Sequence, residues 1–342
     1  MSRDLLVDQT IEILRHAGFM VSDRCDIRPR SFDIAARRGD VLLLCKVLSN
    51  IDGLTEETAN EMRSLAEILG GTPFVIGDKT RDQMLEDNVI YMRYKITAVT
   101  IQTFYDYFVE EVKPIVSASP GGLYVPIDGK VLKAVRLENN LSLGALADII
   151  GISRRTVSKY EEEGMNASID TVLLLEDLFQ VELAQPIDLL NPTMIISSQK
   201  PLSNAAGMPA SPESVLPKSG VSGAAKETAE SVAENEILLY ISTLGFDVKE
   251  TAHAPFKAVS KDKKAVILTG VSKYNPATVK RAHLMSSISD VLQTESVFLI
   301  NGNSKVKSIE STAFIEKKEL VKMSGPEDLI ETIEERKVPE KK

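Results

Sequence analysis

The chain has no tryptophan and only two cysteines in its 342 residues. Cys25 and Cys45 are isolated, with no CxxC pair and no histidine at ligand spacing, so neither a disulfide framework nor a structural zinc site is expected. His16, His253 and His283 are scattered, and no serine or cysteine nucleophile motif lies near them. Gly70-Gly71 and Gly121-Gly122 sit in neither a GxGxxG nor a Walker-type loop, which removes the usual nucleotide cradles. No apolar run approaches the length of a membrane span, and the opening MSRDLLVDQTIEILRHAGF reads as an amphipathic helix, not a signal peptide. The expectation is a cytoplasmic protein without a membrane partner. Positive charge is in deficit too. A formal net charge of -9 argues against a surface coated for nonspecific nucleic-acid binding, yet leaves room for one local reader.

What is present concentrates at Ser142–Glu161, SLGALADIIGISRRTVSKYE. Leu143, Leu146, Ala147 and Ile150 recur at helical spacing and predict a short helix with one apolar stripe. Ser142 can cap that helix, and Gly151 can end it in the left-handed conformation. Ile152 then turns inward and Ser153 caps a second helix. That helix carries Arg154, Arg155, Thr156, Ser158 and Lys159 on its polar side, with Val157 and Tyr160 inside. Donors and cations along its first turns suit a major groove. Beyond Lys159, Glu161-Glu162-Glu163 reverses the sign. Val131–Arg136 opens a preceding helix and Ile169–Phe179 forms a following one. These residues resemble the lambda-repressor/Cro class of helix-turn-helix domains over roughly residues 128–190. One departure is Leu143, which stands where that class often carries Gln.

The stretch 193–232 is crowded with Ser, Gly and Pro and lacks periodicity, so it reads as a flexible linker whose end joins the next helix. A shorter break, SASPGG at Ser117–Gly122, is expected to separate the N-terminal region from the helix-turn-helix.

The two ends of the chain look like copies of one fold. IEILRHAGFMV (11–21) matches ILLYISTLGFDV (237–248), and FDIAARRGDVLLLCKV (32–47) aligns without gaps to FKAVSKDKKAVILTGV (256–271). Helices at Glu56–Leu69 and Ala277–Leu292 follow, then strands at 72–78 and 295–303, then a closing strand and helix near 96–111 and 319–335. Phe104 and Phe108 are expected in the core. Tyr91, Tyr94, Tyr105 and Tyr107 read as core or interface rather than as base-stacking groups.

This order resembles the PD-(D/E)xK nuclease and Holliday-junction-resolvase-like fold. The resemblance implies an Asp at the start of the second strand and a (D/E)xK tripeptide in the third, the carboxylates holding Mg²⁺ and the Lys orienting the attacking water. Asp33 and Lys46 fill the outer positions here, but Leu44 replaces the middle carboxylate, and Asp40 lies in a turn away from it. Glu57 or Glu61 on the next helix is the only local substitute. In the second copy the aligned residues are Lys257 and Gly270. Asp33 and Lys46 can equally form a structural ion pair.

The expected architecture is therefore multidomain, with two α/β, restriction-endonuclease-like domains (1–116 and 233–342, the latter ending in a charged tail) flanking an all-α helix-turn-helix domain (123–192). It resembles a family of archaeal helix-turn-helix transcriptional regulators, which implies a cytoplasmic, sequence-specific binder of double-stranded DNA and no known ligand. With Leu44, Lys257 and Gly270 at the motif positions, no catalytic, metal or cofactor residue is expected. The expected DNA-binding residues are Ser153, Arg154, Arg155, Thr156, Ser158 and Lys159. A homodimer is expected, its interface supplied by the nuclease-like domains, and an effector of unspecified chemistry is left open. Two other functions stand beside this one: a metal-dependent, structure-specific nuclease using Asp33 and Lys46, and a protein-interaction scaffold.

Overall fold

A computed structural model describes residues 2–28, 30–191 and 229–337. The expected linker 193–232 lies outside the described residues except for 229–232, which begin a helix. The charged tail beyond residue 337 lies outside them as well.

Helix α1 (Arg3–His16) starts at Ser2, whose hydroxyl accepts from the Leu5 amide, and buries Leu6, Val7 and Leu14. Strands β1 (Met20–Val21), β2 (Ile34–Arg38) and β3 (Val41–Asn50) run antiparallel in sequence, with Ile34 opposite Cys45. β3 is a nearly continuous apolar run because both of its faces are covered. Helix α2 (Glu56–Leu69) is capped by Thr55 and closed by left-handed Gly70. It carries the chain over to β4 (Thr72–Lys79), parallel to β3. β5 (Val89–Arg93) and β6 (Ile96–Val99) form a hairpin, with β6 lying between β4 and β5, and α3 (Ile101–Phe108) closes the layer. Phe19, Phe74, Phe104 and Phe108 meet in the core as edge-on or tilted ring pairs.

The expected break at Ser117–Gly122 is not a separator. β7 (Val116–Ser119) and β8 (Gly122–Val125) form a hairpin there, turning through Gly121 at φ 102° and Gly122 at φ 143°. β7 pairs with β5, and β8 pairs with β9 (Ala167–Ser168). The sheet thus runs β1-β2-β3-β4-β6-β5-β7-β8-β9 without interruption. From its far edge hang α4 (Gly129–Glu138), α5 (Leu143–Ile150), α6 (Arg154–Glu162) and α7 (Ile169–Phe179). After α7 the chain doubles back. The Ile187 amide donates to the Pro114 carbonyl, and Ile187 and Leu189 are buried in the core beside Phe104 and Phe108. Residues 1–116 and 123–191 belong to one compact unit.

The second unit repeats the first six strands of the first. It contains α8 (Ala229–Thr243), β10 (Asp247–Glu250), β11 (Ala258–Lys261), β12 (Val266–Ser272), α9 (Pro276–Leu292), β13 (Glu295–Ile300), β14 (Ser308–Ile309), β15 (Thr312–Glu316), α10 (Lys317–Leu320) and α11 (Pro326–Arg336). Its sheet order, β10-β11-β12-β13-β15-β14, reproduces β1-β2-β3-β4-β6-β5. The register agrees too: Ile34 faces Cys45, and the aligned Ala258 faces Thr269. Likewise Leu43 meets Thr72, and Ile267 meets Glu295. The short strands β5 and β14 are not among the expected elements, and β15 ends at Glu316, before the closing strand expected near 319.

Candidate nucleic-acid interface

Helices α5 and α6 meet across a three-residue turn in which Gly151 is left-handed, at φ 72° and ψ 27°. Ser142 caps α5 by accepting from the Ala145 amide, and Ser153 caps α6 by accepting from the Thr156 amide at 3.1 Å. Val157 and Tyr160 pack beneath α6 against Leu132, Leu146, Ala147, Ile150, Val172 and Leu175, with Ile152 half-buried beside them. Gly129, at the start of α4, is required for close approach. A Cβ there would lie 2.2 Å from the Tyr160 carbonyl oxygen.

With one side of α6 buried, its other side is presented to solvent. Arg154 and Arg155 are exposed and Lys159 is half-buried. None of the three side chains makes a hydrogen bond or ion pair among the described residues. The hydroxyls of Ser153 and Thr156 lie 2.8 Å apart at the cap, and the Ser158 hydroxyl reaches Glu162 at 3.5 Å. The structure therefore brings all six residues onto one accessible end of α6, with the three cations uncommitted.

Glu161, the first of the three glutamates that follow Lys159, is not on the exposed side of α6. Its carboxylate is buried and accepts two bonds from Arg136 of α4, from Nε at 2.6 Å and from Nη2 at 2.8 Å. The remaining Nη1 donates to the Leu141 carbonyl at 2.8 Å. The pair fastens α4 to α6. Its carboxylate partner also holds the Arg136 guanidinium above its ordinary pKa.

The nuclease-like position is built differently from the motif it resembles. Asp33 is fully buried at the head of β2. Its Oδ1 accepts from Arg3 at 2.6 Å and from Arg30 Nε at 2.5 Å, and its Oδ2 accepts from the Val47 amide at 2.8 Å. Lys46 does not pair with Asp33. Its ammonium donates to the Arg30 carbonyl at 2.6 Å, and burial lowers its pKa. Leu44 is fully buried in β3, opposite Ala35. Neither Glu57 nor Glu61 is placed as the missing carboxylate: Glu57 is exposed on α2, and Glu61 accepts from the Ala252 and His253 amides at 2.9 Å. A divalent cation does not fit this donor set. Guanidinium groups and a backbone amide already occupy the one carboxylate.

The second copy is refilled in another way. Lys257 pairs with Glu234 of α8 at 3.3 Å, a helix-to-strand ion pair with its signs reversed relative to Arg3–Asp33. Gly270 leaves space for the Phe298 ring, which a Cβ would approach to 2.5 Å. Phe298 stacks on Phe314 with centroids 5.6 Å apart. Because Gly270 pairs with Phe298 where Lys46 pairs with Val75, a long and a short side chain have exchanged strands. Of the tyrosines, Tyr91 is buried and Tyr94 exposed, while Tyr105 and Tyr107 donate to Glu110 and Asp188.

A PD-(D/E)XK superfamily domain model matches residues 3–114, and a Helix-turn-helix model matches residues 132–185. No solved structure matches the chain. Fold and site thus define a helix-turn-helix protein built onto a PD-(D/E)XK superfamily domain. Relatives named "Putative HTH-type transcriptional regulatory protein" are 59% identical in Methanosarcina acetivorans and 58% identical in Methanosarcina mazei, with 98% of both chains covered in each case. A relative of the same name in Halorubrum lacusprofundi is 42% identical, again over 98% of both chains. The chain belongs to this archaeal family of HTH-type regulatory proteins.

Proposed function

We propose that the protein is a sequence-specific DNA-binding transcriptional regulator that reads the major groove with α6. The observation that carries this reading is the pair Arg154 and Arg155, exposed and uncommitted on the first turn of a capped helix whose other side is buried. Bidentate guanine contacts from either arginine would be worth about 1–3 kcal/mol each, with Thr156, Ser158 and Lys159 setting the register on phosphates and base edges. Ser153 caps the helix and lies close enough to its first turn to touch the DNA backbone. One such helix makes few contacts, so the protein acts as a homodimer on half-sites about one helical turn apart, with the nuclease-like domains supplying the interface. It is not a nuclease, because the only acidic residue at the nuclease position is taken up by Arg3, Arg30 and the Val47 amide. The site of action is the cytoplasm. Among the described residues no helix is long and apolar enough to cross a membrane.

Selection of bound fragments from random duplex DNA tests the proposal, run with the full chain and with Arg154→Ala/Arg155→Ala at physiological salt. The expected result is an enriched, roughly palindromic motif with the native protein and none with the variant. Enrichment of no motif by either protein would sink the reading and favour a protein partner for the helix-turn-helix.

A further inference from the structure

Two arginines, Arg3 and Arg30, bond a single buried carboxylate at the head of β2, and the Lys46 ammonium lies beside them on the Arg30 carbonyl. Asp33 is fully buried, the side chains of Arg30 and Arg3 are 9% and 25% exposed, and Lys46 is 9% exposed. The other nearby carboxylates, Asp4, Asp8 and Asp26, are largely exposed and gather around Arg24. The buried cluster therefore carries two positive charges in excess. Leaving charge buried and unpaired costs several kcal/mol per ion. A lysine can relieve that cost by losing its proton, but an arginine cannot.

The donors left over point to what would balance them. Arg30 gives only Nε to Asp33, and its two Nη groups have no hydrogen bond among the described residues. Lys46 has three N–H donors and one acceptor, the Arg30 carbonyl. The neighbouring Ser31 hydroxyl is buried without a partner. A guanidinium fork beside an ammonium matches the oxygens of a tetrahedral oxyanion. The same residues refuse a divalent metal, as the occupied carboxylate shows.

We infer that Arg30, Lys46 and Arg3 form a phosphate-binding site, in which the cations gathered around Asp33 hold a phosphate group directly. Such a group is carried by the DNA backbone or by a small phosphorylated ligand. The inference does not rest on sequence reading by α6.

Isothermal titration of the full chain with inorganic phosphate, at constant ionic strength, tests it. Native protein is expected to show saturable binding, and Lys46→Met to bind at least roughly tenfold more weakly. Arg154→Ala/Arg155→Ala should bind phosphate like the native protein. Circular dichroism checks that Lys46→Met is folded, and Arg30→Gln serves as the second variant if it is not. Absence of saturable binding by native protein, or native-like binding by a folded site variant, overturns the inference. Adding a short duplex to the native protein, with the Arg154→Ala/Arg155→Ala variant having shown that phosphate is not held on α6, separates the two sources. Displacement of phosphate assigns the site to the DNA backbone, and undisturbed phosphate binding assigns it to a small phosphorylated ligand.

Discussion

Arg136 and Glu161 show how much a single residue can change meaning between sequence and fold. In the run Glu161-Glu162-Glu163 the three side chains look alike, and only the crossing of α4 over α6 buries the first of them. Nothing local distinguishes it, because its partner lies 25 residues away on another charged helix. Gly129 was silent for the same reason. Its need for a missing Cβ comes from the Tyr160 carbonyl. By contrast, Ser142, Gly151 and Ser153 were legible because capping and left-handed turns are local chemistry. A buried pair of this kind adds little net stability over an apolar replacement, but removing one partner strands the other and costs about 3–5 kcal/mol. Arg136→Met should therefore lower the opening free energy of the α4 and α6 amides by about that amount in native-state hydrogen exchange. The double variant Arg136→Met/Glu161→Leu should recover most of the loss. A single variant costing under about 1 kcal/mol would show that the pair is incidental.

At the scale of elements, the duplication was readable because apolar period and Gly-Phe landmarks repeat, and the shared strand registers follow from them. The hairpin of β7 and β8 was not. Ser-Ala-Ser-Pro-Gly-Gly has the composition of a linker and of a tight turn alike, and only pairing with β5 and β9 decides between them. The doubling-back of the chain after α7 was hidden too, since Ile187 and Leu189 follow one another at strand spacing with no partner visible in sequence. That return is pinned by Tyr107, whose hydroxyl donates to Asp188 at 2.6 Å. Burial and this hydrogen bond push the phenol pKa of Tyr107 upward. The sign follows directly. A protonated Tyr107 is favoured in the folded state, so its contribution is full below the unfolded value near 10 and declines as pH rises past it. Tyr107→Phe should cost about 1–2 kcal/mol near neutral pH, and the gap between native protein and variant should narrow above about pH 10. Urea unfolding at several pH values measures both, and a pH-independent gap would refute the assignment.

For the molecule as a whole, the consequence is that the reading helix is not an independent bead. The strands β7, β8 and β9 tie the helix-turn-helix to the nuclease-like sheet, and Ile187 and Leu189 anchor its exit in that sheet's core. A net charge of -9 on a chain whose α6 cations are uncommitted also means that only a small surface is suited to DNA, so affinity should fall steeply with salt. Coupling to the sheet holds that small surface in place. Its energetic weight can be bounded: fully burying two aliphatic side chains is worth about 3–6 kcal/mol, a large share of the 5–15 kcal/mol typical of a whole domain. A fragment comprising residues 1–191 keeps these contacts and should unfold in one cooperative transition. A fragment of residues 123–191 keeps α4 to α7 but loses β7, β5 and the core around Phe104 and Phe108. It should melt broadly and at lower temperature, with faster amide exchange in α6 than the longer fragment shows. Equal protection of the α6 amides in the two fragments would mean that the sheet contributes nothing to holding α6, and that the nuclease-like domain serves some other purpose than rigid support.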